Sequence, residues 1–114
     1  MNGMGPMAMV RGLDLTEEQQ KQVKQITRDL RKKHWAMMEQ RMTLAEQLDD
    51  AYSASEKPAP AKISELYGKS FEIRKQMIQD SLEARNKIYD LLTAEQREQL
   101  KSQKTLRRQH KMMH

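Results

Sequence analysis

The sequence predicts an all-α protein, and three features of the chain support this fold class. Apolar residues recur at three- and four-residue steps over long stretches, two short segments have the pattern of a helix N-terminus, and the prolines stand outside the periodic stretches. Charged residues make up 32% of the chain and apolar residues only 37%, which is a poor composition for one large core. We therefore predict a thin layer of long helices, about four per protomer, completed by a second copy of the chain.

The chain of 114 residues has the length of one domain. Residues 1–12 precede the periodic stretches and contain three of the four glycines as well as Pro6. We predict a flexible Met-rich arm over residues 1–12, a single helical domain over 13–109 and a flexible His/Met tail over 110–114.

Two related pentapeptides, LTEEQ at Leu15–Gln19 and LTAEQ at Leu92–Gln96, mark predicted helix starts. In each, the threonine is a favourable N-cap, and the glutamine three residues later can bond back to the backbone N–H of the cap. The glutamates between them favour the first turn of a helix because the helix dipole is positive there. The predicted motif residues are Leu15, Thr16, Gln19, Leu92, Thr93 and Gln96.

The first long helix is predicted from Thr16 to about Ala54, with a kink or a break into two helices around Lys32–His34, where the apolar stripe shifts. A linker is predicted over Ser53–Ala61, because its two prolines disfavour helix.

A second long helix is predicted over residues 61–91, and its apolar face is too broad for one neighbouring helix to cover. A partner chain, a ligand or both should cover the rest. The predicted dimer-interface residues are Ile63, Leu66, Phe71, Ile73, Met77 and Ile88. A last helix should begin at Thr93 and fray toward its basic end.

The net charge of +5 is concentrated in residues 93–114, which carry a net +4 (six basic and two acidic residues). This charge favours acidic or amphipathic partners. Nucleic acid is not expected as a partner, because no binding motif and few stacking aromatic residues are present.

No enzyme motif stands out, so the protein is not expected to be an enzyme. The chain has no cysteine and no apolar run long enough to cross a bilayer, so no transmembrane segment is predicted.

Methionine is unusually frequent, with ten residues in the chain. Thioether and imidazole groups suit Cu(I), and imidazole suits Zn(II), whereas methionine on a helix also serves as adaptable apolar packing. No cofactor is expected to be required, and Zn or Cu is the candidate metal. The candidate ligands are His34, Met38, His110, Met112, Met113 and His114.

The segment RNKIYDLLTAEQ at Arg85–Gln96 closely resembles the second LTxxQ motif of the Spy/CpxP family, and GLDLT at Gly12–Thr16 resembles the first. The resemblance extends from about Gly5 to Arg108. The Met-rich arm makes the chain more similar to Spy than to CpxP.

The resemblance implies an antiparallel, intertwined homodimer shaped like a thin curved cradle. It also implies a periplasmic location with the signal peptide removed, and ATP-independent binding of unfolded or misfolded proteins in the envelope stress response. Alternatives are a regulatory adaptor or inhibitor that binds the periplasmic domain of a two-component sensor kinase, and a Zn- or Cu-binding stress-resistance protein. The predicted client-binding residues are Arg28, Arg31, Lys32, Lys33, Met37, Met38 and Arg41.

Overall fold

The computed structural model describes residues 6–112, without the side chains of residues 6–7, 105–107 and 109–112. Four helices follow one another: α1 (Pro6–Met9), α2 (Glu17–Ser53), α3 (Pro60–Leu91) and α4 (Ala94–Met112). Across this described range no strand is present, so the all-α prediction is confirmed. No helix within it is both long enough and apolar enough to cross a membrane.

The chain forms two compact units, each containing part of α2 and part of α3. The terminal unit combines the chain up to Asp29 with the chain from Ser81 onward. The hairpin unit is Leu30–Asp80, in which the C-terminal part of α2 and the N-terminal part of α3 are joined by residues 54–59.

The core of the terminal unit is small and draws on every helix. Its buried residues are Val10, Val23, Ile88, Leu92 and Leu100. Leu13, Leu15 and Ile26 pack against this cluster from partly buried positions. Gly12 turns the chain between α1 and the first LTxxQ motif with a φ of 90°, a conformation that glycine adopts without steric cost.

Residues 1–12 were expected to form an arm, yet part of this segment belongs to the packed structure. Pro6–Met9 form a helical turn, and Val10 is buried in the core of the terminal unit. Val10 explains why this segment is packed, because its apolar side chain is buried among the helices of the terminal unit. The composition of residues 1–12 did not indicate this burial. Residues 1–5 of the arm, and residues 113–114 of the tail, lie outside the described residues, while α4 continues to Met112.

The break expected around Lys32–His34 does not occur, because α2 is one helix of 37 residues. His34 follows Leu30 by one helical turn and is partly buried, with its Nε2 3.4 Å from the carbonyl oxygen of Met77. The imidazole thus occupies an inward position where the sequence has no apolar residue.

The linker prediction is confirmed, since α2 ends at Ser53 and α3 begins with Pro60 at its first position.

Candidate functional site

Both LTxxQ motifs form the capping boxes that the sequence predicted. The Thr16 N–H donates to Gln19 Oε1 at 2.9 Å, and the Gln19 N–H donates to Thr16 Oγ1 at 3.1 Å. The Thr93 N–H donates to Gln96 Oε1 at 2.9 Å, and the Gln96 N–H donates to Thr93 Oγ1 at 3.1 Å. Each motif therefore satisfies two backbone donors at a helix start, and the two starts have the same geometry.

The two glutamines also bond to each other inside the terminal unit, which places the two helix starts side by side. Gln19 Nε2 donates to Gln96 Oε1 at 2.8 Å, and Gln96 Nε2 donates to Gln19 Oε1 at 3.0 Å. Gln19 Nε2 also donates to the carbonyl of Leu91 at 2.9 Å, and Gln96 Nε2 to the carbonyl of Asp14 at 2.8 Å. We call this arrangement the glutamine pair.

The glutamine pair explains why both motifs end in an amide. A glutamine side chain has two N–H donors and two acceptor positions, and all four are used in each member of the pair. Glutamate at either position would have no donor for the opposite carbonyl and would place a charge in a buried site. Leu15 and Leu92 pack in the core next to the pair, so the motif residues form a structural joint with no reactive group.

In the hairpin unit, a row of large apolar side chains on α2 is exposed. Trp35 is 70% exposed, Met38 49% and Met42 62%. They follow one another at steps of three and four residues and therefore share one side of the helix. Trp35 and Met38 each come directly after an inward-facing residue, His34 and Met37.

A second exposed row lies on α3 of the hairpin unit, and its residues also come directly after inward-facing residues. Tyr67, Phe71 and Ile78 directly follow Leu66, Ser70 and Met77, which are buried or partly buried. In two antiparallel helices, the residues that follow the inward positions lie on the same side of the pair. The two rows therefore lie on one side of the hairpin unit.

A contact between the two rows supports this placement. Tyr52 of α2 and Tyr67 of α3 share a hydrogen bond between their side chains, which raises the pKa of Tyr52. Tyr67 also lies beside Phe71, with 6.5 Å between the ring centroids. We define the apolar face as the following residues: Trp35, Met38, Met42, Tyr52, Tyr67, Phe71 and Ile78.

The opposite side of the hairpin unit has polar side chains around a groove whose floor includes apolar residues. It contains an open groove of about 660 Å³ between α2 and α3, with Leu44 and Ile73 among its lining residues. Its polar lining comes from the residues Gln40, Thr43, Gln47, Glu65, Lys69 and Glu72. Because several of these directly precede inward residues, they lie on the side opposite the apolar face. Large apolar side chains are thus exposed on one side of the hairpin unit, and polar side chains surround the groove on the other.

The predicted client-binding residues fall partly on the apolar face. Met38 belongs to it, and Arg31 continues its α2 row because it directly follows the buried Leu30. Met37 is instead turned inward and is partly buried. The other predicted residues, Arg28, Lys32, Lys33 and Arg41, are exposed on α2. Trp35 and Met42 were missed, although their spacing to Met38 was a signal for a shared helix side.

Two of the predicted dimer-interface residues need correction. Leu66 and Ile88 are fully buried within the protomer, because α3 packs them against other parts of its own chain. Their side chains have no surface left for a second copy. Ile63, Ile73 and Met77 are partly buried, and Phe71 is 64% exposed.

The candidate metal ligands are spread over the chain. His34 points to the Met77 carbonyl, while Met38 is half exposed. In the part of the chain that the structure describes, no group of three or more His, Cys, Asp or Glu side chains is arranged to hold a metal ion. His110 and Met112 lie in α4 without described side chains, and Met113 and His114 lie outside the described residues. A Zn or Cu site therefore stays a prediction.

Comparison with known proteins identifies the family. The profile described as "LTXXQ motif family protein" matches residues 2–104. No curated protein matches the sequence, and no solved structure matches the chain. The family match covers both capping boxes and the glutamine pair that joins them. The chain therefore belongs to the LTXXQ motif family, which is the family of Spy and CpxP.

Proposed function

We propose that this protein is a periplasmic, ATP-independent chaperone that binds unfolded or misfolded proteins in the envelope stress response. The observation that carries the proposal is the apolar face of the hairpin unit, exposed in a member of the Spy/CpxP-type family. Large apolar side chains that share one exposed side of a unit are typical of a surface that binds another polypeptide.

The chemistry of the apolar face suits a client whose sequence is not fixed. Met38 and Met42 have flexible thioether side chains that adapt to different apolar groups, and Trp35 adds a large aromatic surface. None of these contacts requires a particular client sequence. An open surface also leaves the client partly hydrated, so that the client can continue to fold while bound.

Basic residues beside the apolar face would attract clients from a distance. Arg31 continues the α2 row, and Arg74 occupies a position in the α3 row between Phe71 and Ile78. Charges of this kind increase the rate of encounter more than they prolong the complex. The proposed division of roles is electrostatic attraction first and apolar contact second.

Suppression of aggregation tests this proposal. The purified protein is mixed with a chemically unfolded client, without ATP and with EDTA, and light scattering is followed. We expect suppression near one dimer per client for the wild type, and clear loss of suppression for a variant with Trp35→Gln and Met42→Gln. The matched control is Gln40→Ala with Gln47→Ala, which changes two exposed residues on the polar side of the same helix.

The two variants separate the possible results. Equal suppression by both variants would show that the apolar face does not capture the client. Absence of suppression by the wild type would overturn the chaperone proposal and favour the sensor-kinase adaptor, which a pull-down with the periplasmic domain of the kinase would test.

We also propose that the protein forms a homodimer through the α3 row of the apolar face, which leaves the α2 row with Trp35, Met38 and Met42 for the client. Phe71 and Ile78 are exposed on this row, and the resemblance to the Spy/CpxP family implies an antiparallel homodimer. Sedimentation velocity of Phe71→Gln with Ile78→Gln should give a lower mass than the wild type at the same concentration. The control, Thr43→Ala with Glu72→Ala on the polar side, should not change the mass. An unchanged mass for the apolar variant would exclude this interface.

A further inference from the structure

The methionines with described side chains fall into two groups. Met9, Met37 and Met77 are partly buried, and Met9 packs against the core of the terminal unit. Met38 and Met42 are 49% and 62% exposed, stand one helical turn apart and both belong to the apolar face. The exposed thioethers are therefore concentrated on the surface that we propose for client capture.

We propose that Met38 and Met42 are an oxidation site through which hypochlorous acid or hydrogen peroxide lowers client capture. This inference rests on the proposed function, because it concerns the regulation of the same surface. Hypochlorous acid and hydrogen peroxide are both two-electron oxidants.

The reaction is a transfer of one oxygen atom to each thioether sulfur. With hydrogen peroxide, the sulfur lone pair attacks one oxygen, the S–O bond forms and the O–O bond breaks. With hypochlorous acid, the sulfur takes the chlorine and hydroxide leaves, and water then displaces chloride to form the S–O bond. The sulfur is oxidised by two electrons to the sulfoxide, and the oxidant is reduced to chloride and a proton or to water. Accessible methionine is the reactive form, so the exposed pair is expected to react before the partly buried residues.

The product changes the character of the apolar face. A sulfoxide is polar and accepts hydrogen bonds, whereas the thioether is apolar and flexible. Two sulfoxides beside Trp35 would retain water that the client must otherwise displace. Client capture should fall while the fold is kept, because neither side chain contributes to a buried core.

The chemistry is also reversible. Methionine sulfoxide reductases return both epimers of the sulfoxide to the thioether. Leucine or isoleucine at these positions would give a similar apolar area without this response. The pair thus provides an apolar contact that an oxidant can switch off and a reductase can restore.

The experiment compares the full-length wild type with Met38→Leu/Met42→Leu, before and after limited treatment with hypochlorous acid. Peptide mass spectrometry should find oxygen added to Met38 and Met42 earlier than to Met37 and Met77. Capture of an unfolded client by the oxidised wild type should weaken by about fivefold or more, as expected when two apolar contacts become polar. The Leu variant should lose less than about twofold, although it keeps the other methionines of the chain.

Further measurements make each outcome decisive. Treatment of the oxidised wild type with a methionine sulfoxide reductase should restore capture. Met38→Gln/Met42→Gln should capture weakly without any oxidant, and circular dichroism should show that its helices are retained. The inference is overturned if oxygen is added first to Met37 and Met77, or if the wild type and the Leu variant lose capture equally. Failure of the untreated wild type to capture any client would instead overturn the proposed function, and the mass spectra would still decide whether Met38 and Met42 are the preferred oxidation site.

Discussion

The terminal unit combines a buried apolar cluster with two fully bonded glutamines, whereas the hairpin unit holds most of the exposed large apolar side chains. Of the nine described, seven lie in the hairpin unit and two, Leu82 and Tyr89, in the terminal unit. Gln19 and Gln96 complete all of their hydrogen bonds beside the core. In the hairpin unit, Trp35, Met42 and Phe71 are more than 60% exposed. The same two helices, α2 and α3, run through both units. A long helix can therefore be packed into a core over one part of its length and expose large apolar side chains over another.

The physical basis of this difference is the way each unit obtains its stability. The terminal unit combines a small apolar core with buried hydrogen bonds, so each of its contacts is costly to remove. The hairpin unit keeps a narrow inward stripe, with Leu30, Leu44 and Leu66 buried, and leaves the apolar face exposed. Substitutions should accordingly affect stability in the first unit and binding in the second.

The largest effect is expected from breaking the glutamine pair with Gln96→Leu. This change removes from Gln19 both bonds between the two buried amides, and it leaves the N–H of Thr93 and the carbonyl of Asp14 without their side-chain partner. Buried polar groups without partners are costly, so the free energy of unfolding should fall by about 3 kcal/mol or more. Urea denaturation followed by circular dichroism measures this loss.

Gln47→Leu is the matched control, because Gln47 is exposed on the same helix as Gln19. Its free energy of unfolding should change by less than about 0.5 kcal/mol. A loss of similar size in both variants would mean that the glutamine pair is not an important source of stability.

The next largest effect is expected when one apolar side chain is truncated in each unit and the losses in the free energy of unfolding are compared. Ile88 is fully buried in the terminal unit, so Ile88→Ala should lower the free energy of unfolding by about 3 kcal/mol through lost packing and the cavity it leaves. Met42 is 62% exposed, so Met42→Ala should cost less than about 0.5 kcal/mol and should instead weaken client capture. Urea denaturation and light scattering of both variants check the two halves of this prediction, and a reversed order of the stability losses would contradict it.

The sequence predicted the local features of the molecule well, because they depend on residues close together in the chain. Both capping boxes use bonds between residues three apart, and the linker depends on its own prolines. Each glutamine side chain, however, also bonds to a residue more than seventy positions away. The pattern of amino acids alone contains no signal for the geometry of such a bond.

Periodicity also left open what covers each apolar residue. The sequence placed Leu66 and Ile88 in an apolar stripe and predicted that a second copy covers them, but the protomer itself buries both. His34 shows that a polar residue can also occupy an inward position, and α2 continues through it without a break. A stripe therefore identifies the inward side of a helix without identifying its neighbour.

The smallest effect is expected from two glycines, and its sign should differ between the units. Gly12 has a φ of 90°, and a Cβ there would lie 3.1 Å from Gln103 Nε2, so Gly12→Ala should destabilise the protein by about 1 kcal/mol. Gly68 lies inside α3, and a Cβ there would meet nothing within 4 Å. Gly68→Ala should therefore stabilise the protein by about 0.5–1 kcal/mol, because alanine restricts the unfolded chain and favours helix. Thermal unfolding measures whether each variant is more or less stable than the wild type.

A loss of stability on Gly68→Ala would mean that a neighbour approaches the groove side of α3 closely, as a second copy of the chain could. Repeating the measurement at several protein concentrations would reveal that contact.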